Sequence, residues 1–339
     1  MININWPKIE SQFANTPASI EGHTVNVQDG SAFQVPVELE PGPLACVGGR
    51  VFAPDPEAAA ALPDPIWVVA MPGGAASWRY FDMRVPGYPD DAYSYAAFMA
   101  ARGVGTVAID TLGIGESEFP YDVAHLTLEA IAAANDQAGR HVREAVQRGT
   151  LVPGLAPAPT PFVVGLGHSG GSGATIVQQS LHATYDAVAL FGMPADDFRM
   201  YGDGKTTAHD VMRPNERGLL VMDERPVASR LAGFYPDTPA EVAEAFLGML
   251  PVPPSMTAFT RNGTLAQHAK AIDCPVLIGF GEQDLAGSPL LEAGRYANAA
   301  DSTVYVQPRA RHNHFAASTR VEVWTTIYNW AWSRAKYRG

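Results

Sequence analysis

Three residues, Ser169, Asp284 and His312, have side chains that together can make a hydroxyl group attack an acyl carbon. A free serine hydroxyl is a weak nucleophile, and it becomes a strong one when a histidine takes its proton. An acid that accepts the second ring N–H of that histidine fixes the tautomer and stabilises the imidazolium that forms. Each of the three residues follows an apolar run typical of a buried strand. Residues of these types can perform nucleophilic acyl-transfer chemistry where a fold brings them together.

Ser169 lies in a segment, 162–175, that has the pattern of a strand, a sharp turn and a helix. The turn reads Gly-His-Ser-Gly-Gly, and glycines two residues on either side of a serine allow a turn too tight for larger residues. Gly-x-Ser-x-Gly alone also arises by chance in a chain with 32 glycines, so the interpretation depends on the strand before it and the helix after it. In this setting the segment resembles the nucleophile elbow of the α/β-hydrolase superfamily of serine hydrolases.

A glycine-rich loop, 71–75, follows another apolar run. Members of that superfamily use a loop at this place to complete an oxyanion hole, a set of N–H groups that binds developing negative charge. The resemblance implies N–H groups from Gly170 and from the loop, with Gly74 favoured over Gly73. Pro72 stands where a histidine is usual in the family, and an ordinary strand-ending turn is the alternative interpretation.

A second turn, 110–117, reads Asp-Thr-Leu-Gly-Ile-Gly-Glu-Ser and precedes the serine motif. It resembles the Asp-x-x-Gly-x-Gly-x-Ser turn of the same superfamily, which packs a strand end. The resemblance implies a structural role for Asp110 and no part in the chemistry.

The acid has several candidates. Asp284 lies four residues after an apolar run, at Gly-x-x-Asp, and matches the position at which the superfamily carries its acid. Glu282 is the weaker neighbour because Asp284 holds the matching position. Asp196 and Asp197 follow the preceding strand, where some hydrolases carry the acid instead. The resemblance favours Asp284.

Two histidines, His312 and His314, lie in the loop before the last helix. The loop resembles the family's Pro-Gly-Ala-Gly-His loop, with arginines in place of glycines, and this puts His312 in the catalytic position. His-x-His could also suggest a metal site, but the sequence offers no third ligand at a suitable spacing. We predict no metal and no cofactor, and we regard His314, His168 and Met71 as candidates for contact with substrate. A structural hydrogen bond is the alternative role for His314.

The alternation of apolar runs and helical segments predicts an α/β fold. The resemblance implies the α/β-hydrolase fold, with a mostly parallel central sheet, antiparallel N-terminal strands such as 23–27 and 45–52, and helices on both faces. The strand pattern stops over 195–271, which is rich in Met and aromatic residues, and a helical lid inserted after the sixth strand is expected there. Residues 1–194 and 272–339 would then form the core.

The composition limits the partners. A net charge of −12 argues against nucleic acid and against an anionic membrane surface, because both repel a polyanion. The sequence starts without the pattern of a secretory signal, and its apolar runs are shorter than a membrane helix requires. We expect a cytoplasmic protein that binds a small molecule, and the tryptophans of the last helix leave a homodimer open.

A serine nucleophile argues against the dehalogenases and epoxide hydrolases of the superfamily, which use aspartate. The resemblance implies hydrolysis of a carboxylic ester or lactone through an acyl-enzyme, and a Met-rich lid suggests an apolar, uncharged substrate. Thioesters, carbon–carbon bonds and acyl transfer to an alcohol stay open. The alternative from another class is a protein that uses the same pocket for ligand binding or for a non-hydrolytic cyclisation.

Overall fold

The computed structural model describes residues 30–39, 42–119, 122–199, 212–221, 233–246 and 250–338. These residues form an eight-stranded sheet, with helices packed on both faces, and a separate two-stranded hairpin. The strands are β1 (Ser31–Leu39), β2 (Gly42–Phe52), β3 (Ile66–Met71), β4 (Gly105–Ile109), β5 (Phe162–His168), β6 (Ala187–Phe191), β7 (Arg213–Pro214), β8 (Leu220–Val221), β9 (Val276–Gly281) and β10 (Ser302–Gln307).

The larger sheet is parallel except at its N-terminal strands. Its order is β1-β2-β4-β3-β5-β6-β9-β10, and every neighbouring pair from β4 to β10 is parallel. β1 pairs antiparallel with β2, which pairs antiparallel with β4. β3 and β5 are buried at every position, as expected for parallel strands covered on both faces. The predicted α/β-hydrolase sheet is confirmed.

One edge strand of this sheet is β1, whose inward residues Phe33, Val35 and Val37 alternate with exposed ones. Pro36 lies between them and pairs in register with Cys46 of β2. Proline is tolerated there because an edge strand has one side without ladder hydrogen bonds. The strand predicted at 23–27 lies outside the described residues.

The helices divide between the two faces of the sheet. They are α1 (Pro56–Ala60), α2 (Tyr95–Ala100), α3 (Leu128–Arg148), α4 (Gly170–His182), α5 (Ala240–Phe246), α6 (Ala266–Ala271) and α7 (Arg320–Lys336). Short 3-10 helices lie at Trp78–Phe81, Val123–His125, Pro254–Thr260, Pro289–Arg295 and His314–Ala316. α3 and α4 pack on one face, and α2 and α7 pack on the other.

The last helix contributes Trp324 and Trp330 to the buried core, so packing within the chain accounts for these two side chains. The longest helix, α3, begins where the Thr127 side chain accepts the Ala130 N–H and ends at Gly149, whose φ is 68°. None of the described helices is both long enough and apolar enough to cross a membrane.

Asp110 organises the turn that follows β4. Its Oδ1 accepts the N–H of Trp78 at 2.6 Å, and its Oδ2 accepts the N–H of Glu116 at 2.8 Å. Burial raises the pKa of Asp110 to about 6. Gly115, with φ 58°, passes so close that a Cβ would lie 2.1 Å from Oδ2. The turn therefore joins the end of β4 to the segment that follows β3.

Between β6 and β9 the described residues form only short elements. The hairpin of β7 and β8 was not predicted, because two-residue strands are too short to show a period of two. Leu220 of this hairpin also forms a bridge with Val252. α6 packs against α4, where His268 Nδ1 lies 2.6 Å from Ser180 Oγ. The division into a core and a lid over 195–271 stays a prediction.

Candidate active site

Ser169 occupies the sharp turn between β5 and α4. Its backbone has φ 52° and ψ −122°, a conformation that residues with a side chain rarely adopt. The Ser169 N–H donates to the Phe191 carbonyl at 2.7 Å, which ties the turn to β6. Because β5 lies between β3 and β6, the strained turn presents the serine hydroxyl at the carboxyl end of the sheet.

The glycines two residues before and after Ser169 are required by close backbone packing. A Cβ on Gly167 would lie 2.4 Å from Ser172 Cα. A Cβ on Gly171 would lie 2.3 Å from the carbonyl oxygen of Met71. Real Cβ atoms essentially never come this close to other heavy atoms, so β5, α4 and the end of β3 meet in this way only around glycine.

The variant Gly171→Ala is therefore expected to lower the free energy of unfolding by about 3 kcal/mol, because the backbone of β3 or α4 must move. Gly294→Ala is the matched control, since a Cβ at Gly294 meets nothing within 4 Å. It should change the stability by less than about 0.5 kcal/mol. Urea unfolding of both variants measures the difference, and equal midpoints would contradict the packing argument.

Ser172 connects α4 to β6. Its Oγ donates to the Phe191 carbonyl and accepts the Phe191 N–H, both at 2.9 Å. Ser172→Ala leaves that buried N–H without its partner, and a loss of about 1–3 kcal/mol of stability is expected. Thermal and urea unfolding measure the loss. Kinetics should show little change, because Ser172 holds the turn and does not reach the reacting atoms.

Hydrogen bonds join Ser169, His312 and Asp284 in a chain. His312 Nε2 lies 2.7 Å from Ser169 Oγ, and His312 Nδ1 lies 2.8 Å from Asp284 Oδ1. His312 comes from the loop after β10, and Asp284 comes from the loop after β9. A carboxylate only accepts hydrogen bonds, so His312 Nδ1 carries the ring proton and Nε2 is free to accept the serine proton. The arrangement can therefore generate a serine nucleophile.

Asp284 is held as a carboxylate by its surroundings. Oδ1 accepts the Leu285 N–H at 2.8 Å, Oδ2 accepts the Gly281 N–H at 3.1 Å, and the side chain is 1% exposed. Burial works to raise the pKa of Asp284. The charge and hydrogen bond of His312, followed by those of His314, outweigh burial and keep this pKa well below its ordinary value.

The other candidate acids have other partners. Asp196 Oδ2 lies 3.2 Å from Arg295 Nη1, and Asp197 Oδ1 lies 2.8 Å from Arg199 Nε. Glu282 is exposed. Asp196 and Asp197 are thus directed toward arginines, while Asp284 is the carboxylate that His312 contacts.

The glycine-rich loop after β3 meets the start of α4 beside Ser169. Gly170 opens the helix, so its N–H has no carbonyl one turn earlier to accept it. A Cβ on Gly170 would lie 3.1 Å from the backbone nitrogen of Gly74. A Cβ on Gly73 would lie 2.9 Å from His168 Nδ1 and 3.0 Å from Ser169 Cβ. Gly74 is therefore the loop residue whose nitrogen lies beside Gly170, and Gly73 packs against the residues of the elbow.

Two apolar side chains from the segment between β6 and β9 cover this meeting point. A Cβ on Gly74 would lie 3.7 Å from both methyl groups of Val252, and a Cβ on Gly170 would lie 2.8 Å from Met256 Cε. Val252 and Met256 are both buried. One wall beside Ser169 is therefore apolar.

The three candidates for substrate contact are all buried. His168, His314 and Met71 are 2%, 0% and 2% exposed, respectively. His168 Nε2 donates to the His312 carbonyl at 2.7 Å, and Tyr80 stacks on the His168 ring. Burial, followed by the charges of His312 and His314, lowers the pKa of His168 well below its ordinary value. The geometry argues against substrate contact, because these side chains present almost no surface and support the site from inside.

Sequence analysis missed two residues that shape the site. Gln307, at the end of β10, accepts at Oε1 a hydrogen bond from His314 Nδ1 at 3.0 Å. Gly192 has φ 69°, and a Cβ there would lie 3.0 Å from His312 Cε1 and 3.2 Å from His314 Nε2. In the sequence, Gln307 is only a polar residue at the end of an apolar strand, and Gly192 is only a glycine directly after β6. Neither feature indicates a role in a site.

Comparison with known proteins identifies the family to which the chain belongs. A model of the alpha/beta hydrolase family matches residues 68–323, well over half of the chain, and the protein belongs to this family. No curated protein matches the chain by sequence. Family and fold together support a hydrolytic function.

Solved structures with the same fold are distant in sequence. The chain is similar to a thermophilic esterase from Thermogutta terrifontis, with 16% identity, a TM-score of 0.59, and 88% of this chain and 97% of that chain covered. A thioesterase domain from the curacin biosynthetic pathway gives 14% identity and a TM-score of 0.51, with 89% of this chain and 99% of that chain covered. The chain is also similar to the proline iminopeptidase of Mycobacterium smegmatis, with 14% identity and a TM-score of 0.56. That match covers 91% of this chain and 100% of the other. At these identities the likeness shows the fold.

Proposed function

We propose that the protein is a serine hydrolase that cleaves a carboxylic ester or lactone of an apolar, uncharged small molecule through an acyl-enzyme. The observation that supports this most strongly is the hydrogen-bonded chain from Ser169 through His312 to Asp284, built on a strained turn. In this proposal Ser169 is the nucleophile, His312 is the general base and acid, and Asp284 orients His312 and stabilises its charged form.

Acylation begins when His312 Nε2 takes the proton of Ser169 Oγ as this oxygen attacks the acyl carbon. The carbonyl oxygen becomes an oxyanion, which the N–H groups of Gly170 and Gly74 stabilise. When the bond to the leaving alcohol breaks, His312 gives its proton to that alcohol. A water molecule then loses a proton to His312 and attacks the acyl carbon. The bond between this carbon and Ser169 Oγ breaks, His312 returns the proton to Oγ, and the carboxylic acid leaves.

The apolar wall supports an apolar, uncharged substrate. Val252 and Met256 border the two glycines of the proposed oxyanion hole, so an acyl group bound there would contact aliphatic and thioether surface. The same segment is tied to the glycine-rich loop, because the Leu250 N–H donates to the Ala75 carbonyl at 2.9 Å. A charged acyl group at this wall would lose hydration without gaining a partner.

The experiment that tests the proposal is labelling with a fluorophosphonate, followed by intact mass and peptide mapping. The wild type should take up one adduct, on Ser169, and Ser169→Ala should take up none. A panel of p-nitrophenyl esters of increasing chain length, together with simple lactones, then defines the preferred acyl group.

A folded wild type that neither reacts with the probe nor turns over any ester or lactone would overturn the proposal. The alternative of a ligand-binding protein in the same pocket would then be favoured. An alcohol product that carries the acyl group would instead indicate acyl transfer, and the panel reveals this when an alcohol is added in excess.

A further inference from the structure

Both nitrogens of the buried His314 ring lie close to acceptor oxygens. Nδ1 lies 3.0 Å from Gln307 Oε1, and Nε2 lies 2.9 Å from Asp284 Oδ2. The contact with Asp284 is that of an ion pair, without the alignment of a full hydrogen bond. A neutral imidazole has one N–H, and the proton on Nδ1 would leave Nε2 unprotonated 2.9 Å from a carboxylate, whose negative charge favours a second proton there.

The orientation of the Gln307 amide is fixed by its other partners. Its Nε2 donates to the His314 carbonyl and to Thr319 Oγ1, both at 3.1 Å. Thr319 cannot donate in return, because its hydroxyl already donates to the Pro308 carbonyl at 2.8 Å. Turning the amide over would place Oε1 against two acceptors. The oxygen therefore faces His314 Nδ1, which must carry a proton.

Asp284 is equally constrained on its side. Its carboxylate already accepts the Leu285 N–H, the Gly281 N–H and the His312 Nδ1–H, and three such donors favour the ionised form. Imidazole is also the more basic partner in a histidine–carboxylate pair. Asp284 therefore stays a carboxylate, and its negative charge, 2.9 Å from His314 Nε2, favours a proton on that nitrogen.

We propose that His314 is a doubly protonated imidazolium in the resting protein, buried against Asp284, so that this pair has a net charge of zero. His314 then acts as a positioning and charge-setting residue for the proposed mechanism, through Asp284. It lies outside the reach of substrate because it is fully buried. The inference rests on the proposed function only where it concerns the reaction.

The titratable groups that face His314 are compatible with its charge. The ring of His168, on β5, lies 5.6 Å away and is kept neutral by burial, and that of His312 lies 6.5 Å away. Tyr80, from the 3-10 helix after β3, stacks on His168, and burial raises its pKa, so it too is neutral. From β6, Phe191 packs against the ring and carries no charge. Asp284 is thus the group that balances the imidazolium.

The charge has a direct consequence for His312. A lone carboxylate would stabilise protonated His312, which cannot act as a base. The positive charge of His314 offsets part of that effect, so His312 loses its blocking proton at a lower pH. The acidic limb of the kcat/KM profile should therefore lie lower in the wild type than in a variant that lacks this charge.

The first experiment reads the proton directly, by NMR of the ring nitrogens in protein labelled with ¹⁵N-histidine. The chain has nine histidines, and the His314 signals are assigned by difference against His314→Gln or His314→Asn. Both ring nitrogens of His314 should be protonated at neutral pH. An unprotonated Nδ1 or Nε2 in the wild type would overturn the inference, whatever the activity.

The second experiment is the pH dependence of kcat/KM for the wild type and His314→Gln. The acidic limb should move to higher pH by about one unit in the variant, because one positive charge near His312 is lost. His268→Gln, which removes a histidine on α6, is the matched control and should leave the limb in place. A lower kcat/KM at every pH with an unmoved limb would indicate a structural role only and contradict the charge-setting role.

The two readings separate the inference from the proposed function. Protonated nitrogens in a protein without any ester or lactone turnover would overturn the proposed function and support the imidazolium. Turnover together with an unprotonated His314 nitrogen would support the proposed function and overturn the imidazolium.

Discussion

Ser169→Ala is expected to lower kcat/KM for a hydrolysed ester by about 10⁵-fold to 10⁶-fold, because the variant has no group that can form the acyl-enzyme. His312, Asp284 and the two glycines of the proposed oxyanion hole stay in place. Substrate should therefore still bind, and the residual rate should be the small one that orientation and oxyanion stabilisation allow without a nucleophile.

The measurement is steady-state turnover of the best ester, with calorimetry to show that the variant still binds it. Ser172→Ala is a fitting control, since it removes a neighbouring serine hydroxyl that serves only to hold α4 to β6. Its kcat/KM should stay within about threefold of the wild type, because changes away from the reacting atoms are small. Turnover by Ser169→Ala at more than about one per cent of the wild-type rate would exclude an acyl-enzyme on this residue.

The parts of the fold that the sequence predicts well are those that local geometry requires. Gly167 and Gly171 appear in the motif because no other residue fits between β5, α4 and β3. The apolar runs of β3 and β5 are continuous because both faces of those strands are covered. Such constraints act within a few residues of one another, so a single sequence shows them.

The parts that the sequence does not predict depend on distant partners. Nothing in the spacing of His312 and His314 indicates which acceptor each ring meets, since residues two apart in a loop have no fixed relation. Asp284 meets both rings because the loops after β9 and β10 converge, and Gln307 fixes the second ring from the strand. For the second histidine, sequence analysis therefore left both a structural hydrogen bond and substrate contact open, and the structure places it behind the acid.

The segment between β6 and β9 shows the same limit. Its apolar residues have no strand period, so sequence analysis indicates burial without saying against what. In the structure Val252 lies beside Gly74, and Met256 lies beside Gly170. The apolar content of the segment thus indicated that this wall would be apolar, whereas its position depends on the tertiary fold.

Asp284→Asn is expected to lower kcat by about 10⁴-fold, because a neutral amide cannot replace the carboxylate that accepts the His312 N–H. The Asp284 carboxylate accepts N–H donors on both oxygens, whereas asparagine offers one oxygen and one NH₂ group. If the NH₂ group faces His312, it imposes the tautomer in which Nε2 carries the proton and cannot accept that of Ser169. The variant would also lose the negative charge that stabilises protonated His312.

Asp197→Asn provides the matched control at the rival acid. Asp197 has φ 58°, a conformation that asparagine tolerates, and its partner Arg199 lies with it on the outside of the fold. Its kcat should stay within about threefold of the wild type, as for other exposed ion pairs. Turnover and thermal melting of both variants decide between the two acids. If Asp197→Asn lost activity while Asp284→Asn kept it, the hydrogen bond between Asp284 and His312 would be structural, and the acid would have to come from the loop after β6.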